Sequence, residues 1–163
     1  MLTAHMELID GQEIPKPLTK KNHARIQQYL IVHFAATLPR EYQALPELNV
    51  LCGADRLVPD VTVVSRKAVY DNGDLAEPAI LAIEIYSPSQ TFSSSSLIDK
   101  CERLLAAGVG VCWIILPDTR KAWMAYLARG EPNFEHVVGE LTIDIQVLSI
   151  KVKLAEMWAE LDD

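Results

Sequence analysis

The stretch Ala79-Ile80-Leu81-Ala82-Ile83-Glu84-Ile85-Tyr86 decides the fold, because it is a short apolar run with a single acidic residue inside it. Its length and its β-branched residues favour a buried strand. Side chains alternate along a strand, so one face carries Glu84 with Ile80, Ala82 and Tyr86, and the other carries Leu81, Ile83 and Ile85. An ionised carboxylate is costly to bury unless a partner pairs with it. The run therefore predicts a functional carboxylate in a sheet, with a solvated strand end as the alternative.

Further strands are predicted on both sides of this run. Short β-branched segments bounded by turn residues lie at Val50–Cys52 and Val61–Val64. Beyond it, the buried segment Val111–Leu116 is followed by the Pro117-Asp118 turn and a partner strand, Lys121–Leu127. The list is completed by a strand near Phe134–Val138 and one within Leu141–Val152. We expect these strands to form one mixed sheet.

Helices and a hairpin complete the predicted architecture. Asp10-Gly11 is a turn-forming pair between apolar stretches and predicts an N-terminal β-hairpin. Thr19 is a predicted cap for a helix that runs to about Thr37, a second helix occupies roughly residues 95–107 and is closed by Gly108, and a third begins near Leu154. The fold class is therefore α/β, with a mixed sheet flanked by helices, in one domain over residues 1–163.

Composition narrows the classes of function. The chain has 163 residues, with 22 acidic and 15 basic side chains and a net charge of -7, so it lacks a general positive field for nucleic acid or anionic membranes. Three cysteines form no disulfide framework or zinc pattern and indicate a reducing cytoplasm. We expect neither a secretion signal in residues 1–10 nor a membrane span.

Asp60 is a second candidate carboxylate, since Pro59-Asp60 opens the strand Val61–Val64. An aspartate at this position also suits a turn cap, and alone it favours neither interpretation. Two carboxylates on neighbouring strands, however, are the minimum protein ligand set for Mg²⁺, which prefers oxygen ligands and can add a backbone carbonyl such as that of Ile85. The pair of Asp60 and Glu84 therefore predicts a metal site.

Two further polar residues lie on helices. Lys100 falls at the margin of the apolar face formed by Leu97, Cys101, Leu104 and Leu105, where its ammonium could reach the sheet; a lysine that merely covers apolar surface is the alternative favoured by spacing alone. His23, near the start of the first helix, could contact the same site, although a structural histidine is the more common outcome.

These residues together carry a family resemblance. Pro59-Asp60, Glu84-Ile85-Tyr86-Ser87-Pro88-Ser89, Lys100, Gly108-Val109 and Trp113-Ile114 resemble the Uma-type "putative restriction endonuclease" family of the PD-(D/E)XK nuclease superfamily. Met6-Glu7-Leu8-Ile9-Asp10-Gly11 and His23 match as well. The resemblance implies a restriction-endonuclease-like core, with Asp60 and Glu84 as ligands of Mg²⁺ or Mn²⁺. It also implies that Lys100 replaces the usual lysine two residues after the glutamate, where this chain has Tyr86.

Four positions depart from the family pattern. Ser96 replaces an acidic residue, Leu104 a tyrosine, Val111 a glutamate and Leu116 an aspartate. The trio of Asp60, Glu84 and Lys100 is nevertheless intact. The resemblance thus implies metal-dependent hydrolysis of phosphodiester bonds in nucleic acid, with DNA as the expected substrate, His23 and Tyr86 as supporting residues, and a homodimer as the expected assembly. A catalytically reduced fold that serves as a binding or assembly module is the alternative.

Overall fold

The computed structural model describes residues 5–16, 19–86, 94–145 and 148–163, without the side chains of residues 94 and 95. Its helices are α1 (Lys21–Thr37), α2 (Ser94–Ala106) and α3 (Leu154–Ala159). Its strands are β1 (Met6–Ile9), β2 (Gln12–Pro15), β3 (Tyr42–Pro46), β4 (Val50–Cys52), β5 (Asp55–Leu57), β6 (Val61–Ser65), β7 (Tyr70–Asp71), β8 (Asp74–Leu75), β9 (Leu81–Ile85), β10 (Val111–Leu116), β11 (Lys121–Ala128), β12 (Glu131–Val137), β13 (Glu140–Ile145) and β14 (Leu148–Lys153). The α/β class is confirmed.

The strands form three sheets rather than the single sheet expected. The central sheet has the order β12-β11-β10-β9-β6-β3, a second six-stranded sheet has the order β2-β1-β5-β4-β8-β7, and β13 pairs with β14 alone. The predicted strand Val50–Cys52 therefore lies in a different sheet from β6 and β9, which is a correction. Several strands of the second sheet have only two or three residues, too few to show a period of two in the sequence.

The central sheet is mixed around β9. This strand runs parallel to β10 and antiparallel to β6. The parallel pair is joined through α2, as parallel neighbours require a crossover connection. β10 continues antiparallel into β11 across the predicted Pro117-Asp118 turn. The apolar run that contains Glu84 thus forms an interior strand, with neighbouring strands on both sides.

Two hydrophobic cores cover the two faces of the central sheet. Leu81, Ile83 and Ile85 of β9 pack in a core with α1, α3 and the β13–β14 pair. Ala82 packs in the other core, with residues of α2 and of the second sheet. The predicted alternation is confirmed for Leu81–Ile85, and it directs Glu84 toward α2 and the second sheet. Ile80, which was predicted on the Glu84 face, precedes the strand and packs against the other core, so that part of the prediction is wrong.

Among the predictions of local structure, one is confirmed and others are wrong. The N-terminal hairpin is confirmed: Asp10 and Gly11 both have positive φ, 51° and 77°, the geometry of a tight two-residue turn. The cap prediction at Thr19 is wrong, because Lys20 occupies the N-cap position without a side-chain cap bond. The segment Leu141–Val152 holds two strands rather than one. Neither Gln146 nor Val147, which stand between these strands in the sequence, is a typical turn residue, so a division at this point could not be predicted.

The Ser87-Pro88-Ser89 motif lies outside the described residues. No helix in the described part of the chain has the length and apolar character needed to cross a membrane.

Candidate active site

Glu84 lies on the interior strand β9, opposite Ile114 of β10 in the parallel register. Its side chain is buried, with 6% of the residue exposed. The alternative of a solvated strand end is therefore wrong. A carboxylate at this depth requires compensation by neighbouring charges or dipoles, and those neighbours define the site.

Lys100 supplies that compensation from α2. Its Nζ lies 2.9 Å from Glu84 Oε1, contacts Glu7 Oε1 as an ion pair and donates a hydrogen bond to the Val58 carbonyl oxygen at 3.2 Å. Lys100 is 7% exposed, so the alternative of a surface lysine is wrong. The contact with Glu84 is an ion pair without hydrogen-bond geometry, since Glu84 Oε1 has no hydrogen-bond partner among the described residues.

Asp60 lies immediately before β6 and is 3% exposed. Its Oδ2 accepts a hydrogen bond from the backbone N–H of Ile85 at 2.7 Å, which ties it to the residue after Glu84. Its Oδ1 lies 2.9 Å from Lys16 Nζ and 3.0 Å from His23 Nε2. The two predicted acids are thus linked through β9, and each has its own lysine.

Burial and neighbouring charges together shift the pKa values of Asp60 and Glu84 in opposite directions. Burial raises the pKa of Asp60, but Lys16 and then His23 and Lys100 outweigh burial and hold that pKa far below its usual range. Burial raises the pKa of Glu84 to about 7; Lys100 opposes this effect and Asp60 adds to it. At neutral pH Asp60 is therefore an anion, whereas Glu84 takes up a proton far more readily.

Lys100 remains a cation in spite of its burial. Loss of solvent lowers the pKa of its ammonium, but the charges of Glu84, Glu7 and Asp60 raise it by more, so the net shift is upward. Three oxygen atoms, from Glu84, Glu7 and the Val58 carbonyl, surround Nζ. The ammonium is therefore both charged and fixed in orientation, as stabilisation of a developing negative charge requires.

Sequence reasoning missed Glu7 as a site residue. It lies on β1, is 2% exposed, and its Oε1 also accepts the Val58 N–H at 2.9 Å. An acid on a hairpin strand is ordinarily solvent-exposed, so composition gave no reason to single it out. The one available signal was its place in the Met6–Gly11 motif that carried the family resemblance.

Lys16 and Glu47 were also missed. Lys16 follows β2 directly, and its Nζ contacts Glu47 Oε2 at 2.8 Å as well as Asp60. Neither residue belongs to a periodic segment, and each comes from a loop that only the tertiary fold brings to Asp60. No sequence signal could have found them.

The two supporting residues of the sequence analysis lie beside the trio. His23, on the first turn of α1, is 4% exposed and reaches Asp60 through Nε2. Tyr86 follows β9, is partly buried, and its backbone N–H donates to the Ile115 carbonyl oxygen at 2.8 Å. Their roles stay predictions.

Three of the four departures from the family pattern are accommodated by apolar packing. Leu104 and Val111 are buried, one in each core, and Leu116 packs against the core that contains α2. None of these three has an ionisable side chain that could take part in the chemistry of Asp60 or Glu84. The changes therefore alter the surroundings of the trio without removing any of its members.

The donor chemistry fits a hard divalent cation. The site contains four carboxylates, those of Glu7, Glu47, Asp60 and Glu84, against the two ammonium groups of Lys16 and Lys100. The carboxylates therefore outnumber the ammonium groups, so the site can balance the charge of an added cation. The described residues contain no cluster of three or more acidic, histidine or cysteine ligands, but Mg²⁺ commonly uses one or two carboxylates and completes its shell with water and substrate phosphate.

Comparison with known proteins identifies the fold and the family of the chain. A likeness to a crystal structure titled as a "putative nuclease belonging to DUF820" from Anabaena variabilis covers 96% of this chain and 90% of that chain, with a TM-score of 0.76 and 23% identity. That likeness shows a shared fold. No curated protein matches the chain. The Uma2 family model, described as "Putative restriction endonuclease", matches residues 3–152, all but the first two and last eleven positions. The chain belongs to the Uma2 family.

Proposed function

We propose that this protein is a metal-dependent nuclease that hydrolyses phosphodiester bonds in DNA, with Asp60, Glu84 and Lys100 as its catalytic residues. One observation carries the proposal. Three buried charged groups from a loop, a central strand and a helix meet at one place, with Lys100 Nζ 2.9 Å from Glu84 Oε1 and Asp60 bonded to the Ile85 N–H. Family membership supports the choice of nuclease chemistry.

The residues have separate roles in this proposal. Asp60, Glu84 and the backbone carbonyl of Ile85 would hold Mg²⁺, with Mn²⁺ as a substitute. When bound, the ion supplies Lewis-acid polarisation of a phosphoryl oxygen and lowers the pKa of a coordinated water. The ammonium of Lys100 orients the attacking oxygen and stabilises charge that develops on the phosphate.

Neighbouring residues position this trio. Glu7 and the Val58 carbonyl fix the Lys100 ammonium, so that its remaining donor capacity is directed at one point. His23 contacts Asp60 at 3.0 Å and helps to keep it ionised. Tyr86 stands where the superfamily usually has its lysine, and we propose that it lines the substrate side of the site.

The net charge of -7 shapes the expected binding behaviour. Affinity for nucleic acid arises mainly from basic side chains that displace counterions. We therefore expect weak binding to DNA without a divalent ion and stronger binding with one, because the ion adds positive charge where the phosphate lies. We propose a cytoplasmic location, in line with three free, buried cysteines; the expected homodimer remains a prediction that light scattering checks.

Metal titration and cleavage test the function together. Calorimetry with Mn²⁺ is followed by nicking assays on supercoiled plasmid and single-stranded DNA, for wild type, Asp60→Asn and Lys100→Met. We expect wild type to bind the ion and cut, Asp60→Asn to lose metal binding and cleavage, and Lys100→Met to bind metal without cutting. Lys21→Met is the matched control, since Lys21 is exposed and pairs only with Asp163 among the contacts described.

A second candidate function rests on burial. The side chains of Asp60 and Glu84 are only 4% and 7% exposed, and each is already paired with a lysine. A site closed in this way also suits a nuclease-like fold that serves as a binding or assembly module. Wild type that binds no divalent ion and cuts neither substrate would favour the module. Cleavage by Asp60→Asn at the wild-type rate would show that the active site lies elsewhere.

A further inference from the structure

Lys16 brings to the site a second, partly buried ammonium group that neither the strand pattern nor the family motifs single out. Its backbone N–H donates to the His5 carbonyl oxygen at 2.8 Å, which fixes the chain at the end of the hairpin. Its Nζ lies 2.8 Å from Glu47 Oε2 and 2.9 Å from Asp60 Oδ1, and its side chain is 11% exposed. One ammonium therefore bridges two carboxylates that come from different parts of the chain.

The carboxylate of Glu47 is held in place by several contacts. Gln27 Nε2 donates to Glu47 Oε1 at 3.1 Å and to the Asp60 carbonyl oxygen at 2.8 Å, so one amide spans the same two residues that Lys16 bridges. The Glu47 N–H donates to the Asp60 carbonyl oxygen at 3.2 Å. Glu47 also has a φ of 52°, a left-handed conformation that residues other than glycine rarely adopt.

The contacts of the Lys16 ammonium with Glu47 and Asp60 resemble those that a second metal ion would make. In two-metal phosphodiesterases the ions lie about 3.5–4 Å apart and share ligands, so one carboxylate contacts both. Here Asp60 offers Oδ1 to Lys16, while its Oδ2 accepts the N–H of Ile85, the residue after Glu84. A protein ammonium at the shared carboxylate supplies positive charge but cannot activate water as a Lewis acid.

We propose that Lys16 acts as a built-in cation, occupying the position between Glu47 and Asp60 that a second divalent ion would otherwise take. The inference rests on the proposed function. It makes Lys16 a positioning residue, which limits the site to one exchangeable ion at Asp60 and Glu84. Removal of the ammonium leaves two carboxylates facing one vacated position, and oxygen ligands of that kind bind Mn²⁺ or Mg²⁺.

Metal stoichiometry is the test. We measure Mn²⁺ binding by calorimetry for wild type, Lys16→Met and the double variant Lys16→Met/Glu47→Gln, with circular dichroism before each titration. We expect one ion for wild type, two for Lys16→Met and one again for the double variant. Lys21→Met makes the same change of charge at an exposed site and should leave one ion. None of these readouts depends on cleavage.

The outcomes separate this inference from the proposed function. Wild type that binds no ion while Lys16→Met binds one would contradict the metal-dependent nuclease and support the role of Lys16. The same number of ions and the same affinity in wild type and Lys16→Met would overturn the inference and leave the nuclease intact. Lys16→Gln serves as a second neutral variant. If both variants fold only with Mn²⁺, the ion replaces the ammonium as proposed; failure to fold even with saturating Mn²⁺ refutes the inference.

Discussion

The change Glu84→Gln should remove activity and, at the same time, stabilise the metal-free protein. Gln is close in shape to the protonated form of Glu and cannot ionise. Burial raises the pKa of Glu84 from 4.5 to about 7, so the folded state holds a proton that the unfolded state releases between these values. Stability therefore falls as the pH rises through this window and is constant above it.

The size of the effect follows from the same two values. A difference of about 2.5 pKa units corresponds to about 3 kcal/mol once the pH is above both, and to less than about 1 kcal/mol near pH 5. Without metal, Glu84→Gln should therefore be more stable than wild type by about 3 kcal/mol near pH 8, with most of the gain absent near pH 5. The pairing with Lys100 is already included in this value, because it contributes to the pKa.

Urea denaturation with EDTA at both pH values measures this difference, followed by the same experiment with Mn²⁺. The metal should stabilise wild type and leave Glu84→Gln almost unchanged, because only the native site of wild type binds it. Glu102→Gln is the matched control on α2, where the residue is exposed, and should change stability by less than about 0.5 kcal/mol. A Glu84→Gln protein that is less stable than wild type near pH 8 would refute the reasoning that burial dominates at this position.

Two other predictions concern stability. Lys100→Met should lower the free energy of unfolding by about 3 kcal/mol, since Glu7 and Glu84 remain buried without their cation. A second change, Glu7→Gln, should recover part of this loss. Urea midpoints near pH 8 measure both effects, and an unchanged midpoint in the single variant would show that the ion pairs contribute nothing to stability. Gly110→Ala should destabilise the protein by about 1–3 kcal/mol, because the added Cβ would lie 2.8 Å from the Ile80 carbonyl oxygen. Thermal melting checks this effect. A Gly110→Ala protein that melts at the wild-type temperature would mean that β9 and β10 separate readily at the end next to Gly110.

The parts of the fold that could be predicted are those with a local signal. β9 is an apolar run of strand length, and the residues after β10 are typical of a turn, so a short stretch of sequence is enough to predict each of them. The assignment of each strand to one sheet or another has no such local signal in the sequence. β4 and β6 have similar compositions, yet β4 pairs with β5 and β8 in the second sheet while β6 pairs with β9. Pairing of strands depends on long-range packing that single segments do not encode.

The candidate site shows the same division between local and long-range information. Glu84 stands out because a polar residue is conspicuous in an apolar strand, and Lys100 because it lies beside an apolar helix face. Their partners do not stand out. Glu7 comes from a hairpin and Glu47 from a loop, and both resemble ordinary surface acids until the second sheet and the α1 helix bring them inward. Charged residues of this kind become recognisable only through their burial.

The electrostatics of the site required the structure most of all. The sequence presents Asp60 and Glu84 as equivalent carboxylates on neighbouring strands, but the structure gives them opposite pKa shifts. The difference arises because Asp60 meets an ammonium, an imidazole and the Ile85 N–H, whereas Glu84 shares Lys100 with Glu7. Two acids whose environments separate their pKa values are suited to different tasks. Asp60 therefore stays ionised, and Glu84 is the acid whose charge we expect to respond to a bound cation.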